Sequence, residues 1–387
     1  MSNAVAIVPL TTPTTTPPGN SFRPISRWQK ILAFRLLWPI AALVLLLAYN
    51  ALFTPNFFDI TVRREPQANW LSDLFFGRYL YGSLIDILAN GLPVAILAIG
   101  MTLVIATGGI DLSVGSVVAV SGAMAALLIL PPEPDGGGGY GWPLAMALPV
   151  ALLLSLAIGI ANGLLVSVVR IQPIIATLIM MVFARGLAQK ITSAQKLTIN
   201  HTGFEYIGNG YLALLPFGVT LALGVFLIVS IATRRTALGL AIESIGDSPS
   251  ASRYLGLRVK TIQISVYAIS GLCAGIAGFV AASRIRLADP ILTGAVPPME
   301  LDAIFAVVVG GTALAGGRFT LLGSLIGALL LQALGTTLLS TRVFGHDIRP
   351  DLLPMPKALV ILIVCLLQSS KFRSWLLAPF RSLGRAG

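Results

Sequence analysis

Long apolar runs separated by short polar gaps dominate this sequence and leave few folds open to it. Apolar residues make up 56% of the 387 residues and charged residues only 11%, against roughly 25% charged in a soluble domain. The mean hydropathy of +0.88 is also too high for a soluble fold, whose surface must be covered by polar groups. The runs therefore predict an all-α polytopic membrane protein with about ten transmembrane helices.

Three of the predicted spans are shorter than the roughly 20 residues that a perpendicular helix needs. The predicted spans are 31–52, 85–106, 114–130, 144–169, 174–188, 212–231, 262–282, 303–315, 321–339 and 358–367. The short runs 174–188, 303–315 and 358–367 either extend through flanking polar residues or are broken helices shielded by their neighbours.

The basic residues indicate how these spans are oriented. A net charge of +11 and a pI near 10.1 would suggest nucleic-acid binding if the charges formed a patch on a polar domain. They lie instead in the gaps between apolar runs, and gaps rich in Lys and Arg tend to stay cytoplasmic. With the N-terminus inside, only Glu243 and Asp247 oppose the cytoplasmic basic residues. Both termini are therefore predicted to be cytoplasmic, and no nucleic-acid partner is expected.

Three segments follow from this pattern. Residues 1–30 form a disordered cytoplasmic tail, residues 31–368 a transmembrane domain, and residues 369–387 a basic cytoplasmic tail. The longest cytoplasmic connector, 234–260, has an amphipathic pattern around 237–255. This pattern predicts a helical docking element, and the plain alternative is a solvated connector.

One carboxylate, Asp111, stands among apolar residues just after the pair Gly108-Gly109. A charge at the centre of a membrane helix costs roughly 2.5–3.5 kcal/mol on insertion scales, so such a residue is first read as functional. The structural alternative is that Asp111 and Ser113 cap a new helix by accepting backbone N–H bonds. The sequence leaves both interpretations open, and Asp111 is taken as the single carboxylate deep among apolar residues.

Polar residues also interrupt other apolar runs, at Asn90, Asn162 and Gln172. Together with Asp111 and Ser113 they are the predicted substrate-path residues, able to bond a hydroxylated solute in a wet cavity. The alternative is that they join helices through hydrogen bonds.

Pairs of glycines separated by three residues predict close helix packing. These pairs are Gly159 with Gly163, Gly271 with Gly275, and Gly323 with Gly327.

An enzyme is not indicated. His201 and His346 both fall in predicted loops, without a legible Ser/His/Asp or paired-carboxylate arrangement. Cys273 and Cys365 lie in apolar runs, so neither a disulfide framework nor a metal site is expected. The sequence contains no Gly-x-x-x-x-Gly-Lys-Ser/Thr motif, so ATP, if it is used, must bind to another chain.

The stretch Gly108-Gly-Ile-Asp-Leu-Ser-Val-Gly115 resembles a signature of bacterial ABC importer permeases of the ribose/xylose/arabinose/galactose branch. Residues 236–246 resemble the cytoplasmic coupling loop of that family. Residues 300–304 with Gly316-Gly-Arg-Phe319 resemble its C-terminal signature. Within the branch the chain looks most similar to galactofuranose-type permeases, for example at Ile171-Gln-Pro and at 270–274.

This resemblance implies a bacterial inner-membrane permease with several partners. They are a second permease (the same chain or a related one), an ABC ATPase subunit or a fused pair of nucleotide-binding domains, and a periplasmic sugar-binding protein. No cofactor is expected in this chain, because ATP and Mg would bind to the partner ATPase. The residues expected to couple to that ATPase are Ala237, Gly239, Glu243, Gly246, Asp247, Arg253 and Gly256.

The function that follows is import of a monosaccharide, galactofuranose-like or ribose-like, by alternating access. An ion-coupled secondary sugar transporter, with a proton or sodium ion at Asp111, is the main alternative. It needs more titratable groups inside the membrane than the sequence indicates. A membrane enzyme acting on lipid is a second alternative, without a catalytic constellation to support it.

Overall fold

The computed structural model describes residues 36–64, 78–132, 138–212, 214–290, 299–340, 342–343, 346–347, 354–368 and 372. The helices are α1 (Leu37–Phe53), α2 (Ser83–Ala106), α3 (Val114–Ile129), α4 (Leu144–Ser167), α5 (Pro173–Ile191), α6 (Thr202–Asn209), α7 (Phe217–Arg234), α8 (Leu238–Asp247), α9 (Pro249–Tyr254), α10 (Val259–Ile285), α11 (Met299–Val309), α12 (Leu321–Ser340) and α13 (Pro354–Gln368). The tails predicted at 1–30 and 369–387 lie outside the described residues, apart from Phe372.

Short antiparallel strand pairs tie the connectors between helices. The pairs are β1 (Thr61–Arg64) with β2 (Arg78–Tyr81), β3 (Leu197–Thr198) with β6 (Leu287–Ala288), β4 (Tyr211–Leu212) with β5 (Leu215–Pro216), and β7 (Arg342–Val343) with β8 (His346–Asp347). These strands are short, and most of the described residues are helical.

Among the described residues, six helices are long and apolar enough to cross a membrane, namely α2, α4, α5, α7, α10 and α12. The shorter apolar helices α1, α3 and most of α13 fall on three further predicted runs. A polytopic helical membrane protein is therefore confirmed. The number of spans and the side of each terminus stay predictions.

The span boundaries differ from the predicted ones for local reasons. Helix α5 runs through Gln189 and Lys190, so this short run does extend through polar residues. Helix α7 begins at Phe217 rather than at residue 212, because the β4–β5 hairpin occupies the preceding residues. Helix α11 ends at Val309, not at residue 315. The chain turns there at Gly310-Gly311, where Gly311 has a φ of +92° that favours glycine.

Helices α2 and α10 form the centre of the bundle. Every residue of α2 from 91 to 106 is buried, which explains why the helix is apolar on all sides. Helix α10 packs closely against α4 through two of the predicted glycine pairs. A Cβ at Gly159 would lie 2.5 Å from the carbonyl oxygen of Tyr267, and one at Gly271 would lie 2.6 Å from that of Ser155. These glycines let two backbones approach, as predicted from their spacing.

The connector 234–260, which is predicted to be cytoplasmic, contains two helices rather than one. Helix α8 ends at Asp247 and α9 begins at Pro249, with Ser248 extended between them at φ −159° and ψ 102°. A residue before proline avoids the helical region, so Pro249 ends α8 and becomes the first residue of α9. The Ser248 hydroxyl accepts the Ala251 N–H at 3.3 Å and caps α9.

Candidate functional site

Asp111 lies in a seven-residue interruption, residues 107–113, between α2 and α3. Its side chain is buried, with 1% of the residue exposed. Oδ1 accepts the Ser113 N–H at 3.0 Å and the Ser113 hydroxyl at 2.6 Å. The capping interpretation therefore holds for one backbone N–H, whereas Ser113, the N-cap residue, makes no side-chain cap bond of its own.

Two further helices contribute polar groups to this carboxylate. The Asn162 amide of α4 donates to the Ser113 hydroxyl at 2.7 Å and lies 3.4 Å from Asp111 Oδ1. The Ser270 hydroxyl of α10 donates to Asp111 Oδ2 at 3.1 Å. Asp111, Ser113, Asn162 and Ser270 thus form a buried polar cluster between three helices, which we call the Asp111 cluster.

Two polar atoms beside Asp111 have no hydrogen-bond partner among the described residues. They are Asn162 Oδ1 and the hydroxyl of Tyr267, both buried. A Cβ at Gly109 would lie 2.5 Å from the Tyr267 hydroxyl, so the absence of a side chain there leaves room for the phenol. These atoms can bond a water molecule or a hydroxylated solute that reaches the cluster.

The predicted path residues are not all in one place. The structure brings Asp111, Ser113 and Asn162 together. Asn90 instead accepts a hydrogen bond from Arg284 of α10. Gln172 is exposed immediately before α5. Asn90 and Gln172 therefore lie outside the Asp111 cluster.

A second interruption, residues 310–320, separates α11 from α12. It contains no acidic residue. Threonine hydroxyls form hydrogen bonds with its backbone N–H and carbonyl groups. The Thr320 hydroxyl donates to the Gly310 carbonyl at 3.2 Å, and the Thr320 N–H donates to the Thr312 hydroxyl at 3.4 Å.

Helix α8 of the connector 234–260 contacts the end of α2 and the second interruption. The Gly317 N–H donates to the Ala106 carbonyl at 2.9 Å, which joins the second interruption to the last residue of α2. A Cβ at Gly246 of α8 would overlap this same carbonyl and the Gly317 N–H, while one at Gly316 would lie 3.0 Å from the Gly246 carbonyl oxygen. We call this meeting of backbones the glycine junction. At this junction α8 is in direct contact with the end of α2 and with the loop before α12.

The predicted coupling residues divide into packed and exposed ones. Gly239 and Gly246 are packed, since a Cβ at Gly239 would overlap the Thr233 carbonyl. Glu243 is half-buried. The exposed members are Ala237, Asp247, Arg253 and Gly256.

The sequence did not lead to a prediction that three large apolar residues of the same connector are exposed. Leu240 is 75% exposed, Leu255 77% and Tyr254 93%. The sequence signal was available, because these residues stand in a connector predicted to face the cytoplasm. Large apolar side chains exposed on a connector are typical of a site for another protein.

Asp111, the single carboxylate deep among apolar residues of the sequence, is not the only buried carboxylate among the described residues. Asp289 is 5% exposed and Glu300 6% exposed. Glu300 pairs with Arg185 at 3.2 Å, and Asp289 pairs with Lys196 at 3.3 Å. Both acidic residues lie beside predicted span ends, and the sequence does not show that the fold brings a cation to each. Among the described residues, the bonds that Asp111 accepts come from neutral groups.

His201 has a structural role. Its Nδ1 accepts the Phe204 N–H at 3.3 Å and caps α6. His346 lies in β8.

Long apolar helices that enclose buried polar residues, with two interruptions beside a helix of the connector 234–260, define a multi-pass membrane transport protein. The chain belongs to the family described as branched-chain amino acid transport system / permease component, which matches residues 83–367. It is therefore a permease subunit, located in the inner membrane as a multi-pass protein.

The curated relatives are sugar permeases. The chain is 40% identical to the galactofuranose transporter permease protein of Escherichia coli, over 95% of this chain and 97% of the relative. It is 35% identical to the fructose import permease protein of Bifidobacterium longum, over 92% of each chain. It is 36% identical to the ribose import permease protein of Escherichia coli, over 86% of this chain and 93% of the relative. No solved structure matches the chain.

Proposed function

We propose that this chain is the membrane subunit of an ATP-binding-cassette importer that carries a monosaccharide, galactofuranose-like or ribose-like, into the cytoplasm. The similarity to galactofuranose, fructose and ribose permeases over most of the chain supports the substrate class. The glycine junction is the observation that carries the mechanism. It joins a helix of the connector 234–260 to the end of α2 and to the second interruption without an intervening flexible linker.

In this mechanism, ATP and Mg bind to a partner ATPase that docks on α8 and α9. Leu240, Tyr254 and Leu255 supply the apolar contacts, and Arg253 and Asp247 the charged rim. Closure of the ATPase displaces α8, and the glycine junction passes this displacement to α2 and α12. The path then alternates between its two openings, while a periplasmic sugar-binding protein delivers the solute. A second permease, the same chain or a related one, completes the path.

The test uses the full chain with the ATPase and binding protein of the same importer, reconstituted in proteoliposomes. We expect uptake of radiolabelled D-ribose or D-galactose to require hydrolysable ATP and to survive an ionophore. Uptake that persists without ATP and collapses with the ionophore would instead identify an ion-coupled transporter.

Docking on the connector has its own test. Tyr254→Ala and Leu240→Ser should reduce co-purification of the ATPase by about tenfold, since exposed apolar anchors carry much of the energy of an interface. Neither change should alter unfolding of the isolated permease, because both side chains are exposed. Tyr140→Ala is the matched control. Tyr140 is 63% exposed, in the connector before α4 that is predicted to face the other side. Unchanged ATPase recovery with Tyr254→Ala and Leu240→Ser combined would exclude docking at this surface.

A further inference from the structure

A second charged cluster lies between helices α3, α5 and α11. Arg185 Nη2 contacts Glu300 Oε1 at 3.2 Å, and Arg185 Nε donates to the Ser116 hydroxyl at 3.3 Å. These three residues come from three helices and take no part in the Asp111 cluster. We call them the Arg185 cluster.

Arg185 lies within the length of α5, nearer to the C-terminal end of the helix. Arg185 is twelve residues from the first residue of α5 and six from the last. At 1.5 Å per residue these separations are about 18 Å and about 9 Å. Lower on the same helix, the Thr177 hydroxyl donates to the Ile110 carbonyl at 3.2 Å, next to Asp111. Eight residues separate Thr177 from Arg185, so the two clusters are about 12 Å apart along α5.

The Arg185 side chain is partly exposed, and its charge limits what the exposed part can contact. Its side chain is 41% exposed, whereas that of Glu300 is 8% exposed. A guanidinium at this depth is not left in contact with lipid, because charged groups inside membranes face the bundle interior or a water-filled cavity. The neighbouring Gly186 leaves the adjacent space open, since a Cβ there would meet no atom within 4 Å. The exposed part of Arg185 therefore requires water or polar groups, rather than lipid, as its surroundings.

Glu300 retains an unused acceptor. Its Oε2 is buried without a hydrogen-bond partner among the described residues. The oxygen occupies the space that a Cβ at Gly115 would fill, so the glycine makes room for the carboxylate. One carboxylate oxygen holds the arginine, and the other remains able to accept a hydrogen bond.

We propose that Arg185, Glu300 and Ser116 form a solute-binding site in the transport path, selective for a neutral polyhydroxylated solute. The guanidinium donates to hydroxyl oxygens of the solute, and Glu300 Oε2 accepts one hydroxyl hydrogen. Because the arginine and the glutamate together carry no net charge, the site favours an uncharged solute over an anion. This inference rests on the proposed sugar import. It adds the residues that hold the sugar between the two openings of the transport path.

A purely structural ion pair is the competing explanation, and α11 provides its control. Lys357 pairs with Asp302 at 3.4 Å, from α13 to the same short helix, with 20% and 21% of the two side chains exposed. Both ion pairs fasten α11 to a neighbouring helix. If fastening is the whole role of Glu300, loss of either ion pair should have the same consequence.

The experiment measures sugar imported per ATP hydrolysed by the complete transporter in proteoliposomes, with saturating sugar-loaded binding protein. The probe is D-ribose or D-galactose, whichever the wild-type transporter imports. Glu300→Gln and Arg185→Gln should lower the ratio of sugar to ATP about tenfold, the loss expected from a charge-assisted hydrogen bond. Asp302→Asn should keep this ratio within about twofold, because a structural defect lowers both rates together.

A second measurement tests whether the site is wet and occupied. Gly186→Cys, in a variant without the native cysteines, should react with a water-soluble maleimide, and turnover with the sugar should slow the reaction. Proportional loss of both rates in Glu300→Gln and Asp302→Asn, or no labelling of Gly186→Cys, would overturn the proposed site. Import of neither sugar by the wild-type complex would contradict the proposed function, and the site would fall with it.

Discussion

The two helix interruptions solve the same backbone problem with different chemistry. Residues 107–113 and 310–320 each follow the end of an apolar helix and contain paired glycines. The first encloses a buried carboxylate bonded by Ser113, Asn162 and Ser270. The second uses neutral threonine hydroxyls and its own backbone.

This difference shows that a break in the bundle does not require a buried carboxylate. Carbonyl and N–H groups freed at a helix end are satisfied in the second interruption by Thr312 and Thr320. Backbone geometry alone therefore does not explain Asp111, whose burial carries a cost that the second interruption avoids. The comparison supports a role for Asp111 in transport, in addition to its bond to the Ser113 N–H.

The largest expected effect is at the point where the two interruptions meet. Gly246→Ala places a Cβ against the Ala106 carbonyl and the Gly317 N–H. Because both are backbone atoms that cannot rotate away, we expect a loss of about 3 kcal/mol in the free energy of unfolding. Chemical unfolding in mixed detergent micelles, followed by tryptophan fluorescence, measures this loss. Gly224→Ala is the control, since a Cβ at Gly224 meets nothing within 4 Å. Equal stability of the two variants would show that the junction is loose.

The first interruption should be the more sensitive of the two to loss of a polar side chain, and Asp111 is the side chain to remove. Asp111→Ala leaves Ser113, Asn162 and Ser270 without their shared acceptor, which should cost about 2 kcal/mol in the free energy of unfolding. Asp111→Asn keeps the shape and an acceptor oxygen, so most of the stability should return. ATP-driven sugar uptake should fall in both variants, if the carboxylate serves the path. Full uptake by normally expressed Asp111→Ala would remove Asp111 from the path.

The second interruption, which contains no carboxylate, should respond least. Thr320→Val removes one hydroxyl that bonds the Gly310 carbonyl, with an expected cost of about 1 kcal/mol in the free energy of unfolding. Thr320→Ser retains the hydroxyl and is the matched control. A loss of unfolding free energy as large as that of Asp111→Ala would contradict the expected difference between the two interruptions.

Much of the helical architecture was predictable from local sequence. Apolar runs located the long helices, and glycine spacing located the α4–α10 crossing at Gly159 and Gly271. Pro249 in the sequence also indicates where the connector divides into two helices, although the amphipathic pattern suggested one helix. Helix α11 was placed too far along the chain, because hydropathy alone does not register the turn at Gly310-Gly311.

The candidate site was less predictable. Asp111, Ser113 and Asn162 were identified because each interrupts an apolar run, and the structure does bring them together. Ser270 and Tyr267 were missed, since hydroxyl groups are common in membrane helices and carry little signal. Asn90 and Gln172 interrupt apolar runs in the same way but lie elsewhere, because interruption does not specify which helix a side chain faces.

The sequence by itself determined that lipid surrounds this chain, since so many apolar side chains cannot be covered by so few polar ones. It also determined where the helices break, because glycine and proline act on the backbone locally. Only the tertiary structure decided that Arg185 meets Glu300 and that α8 touches the end of α2 and the second interruption. Those contacts join residues more than a hundred positions apart or depend on backbone approaching backbone, and neither leaves a local pattern in the chain.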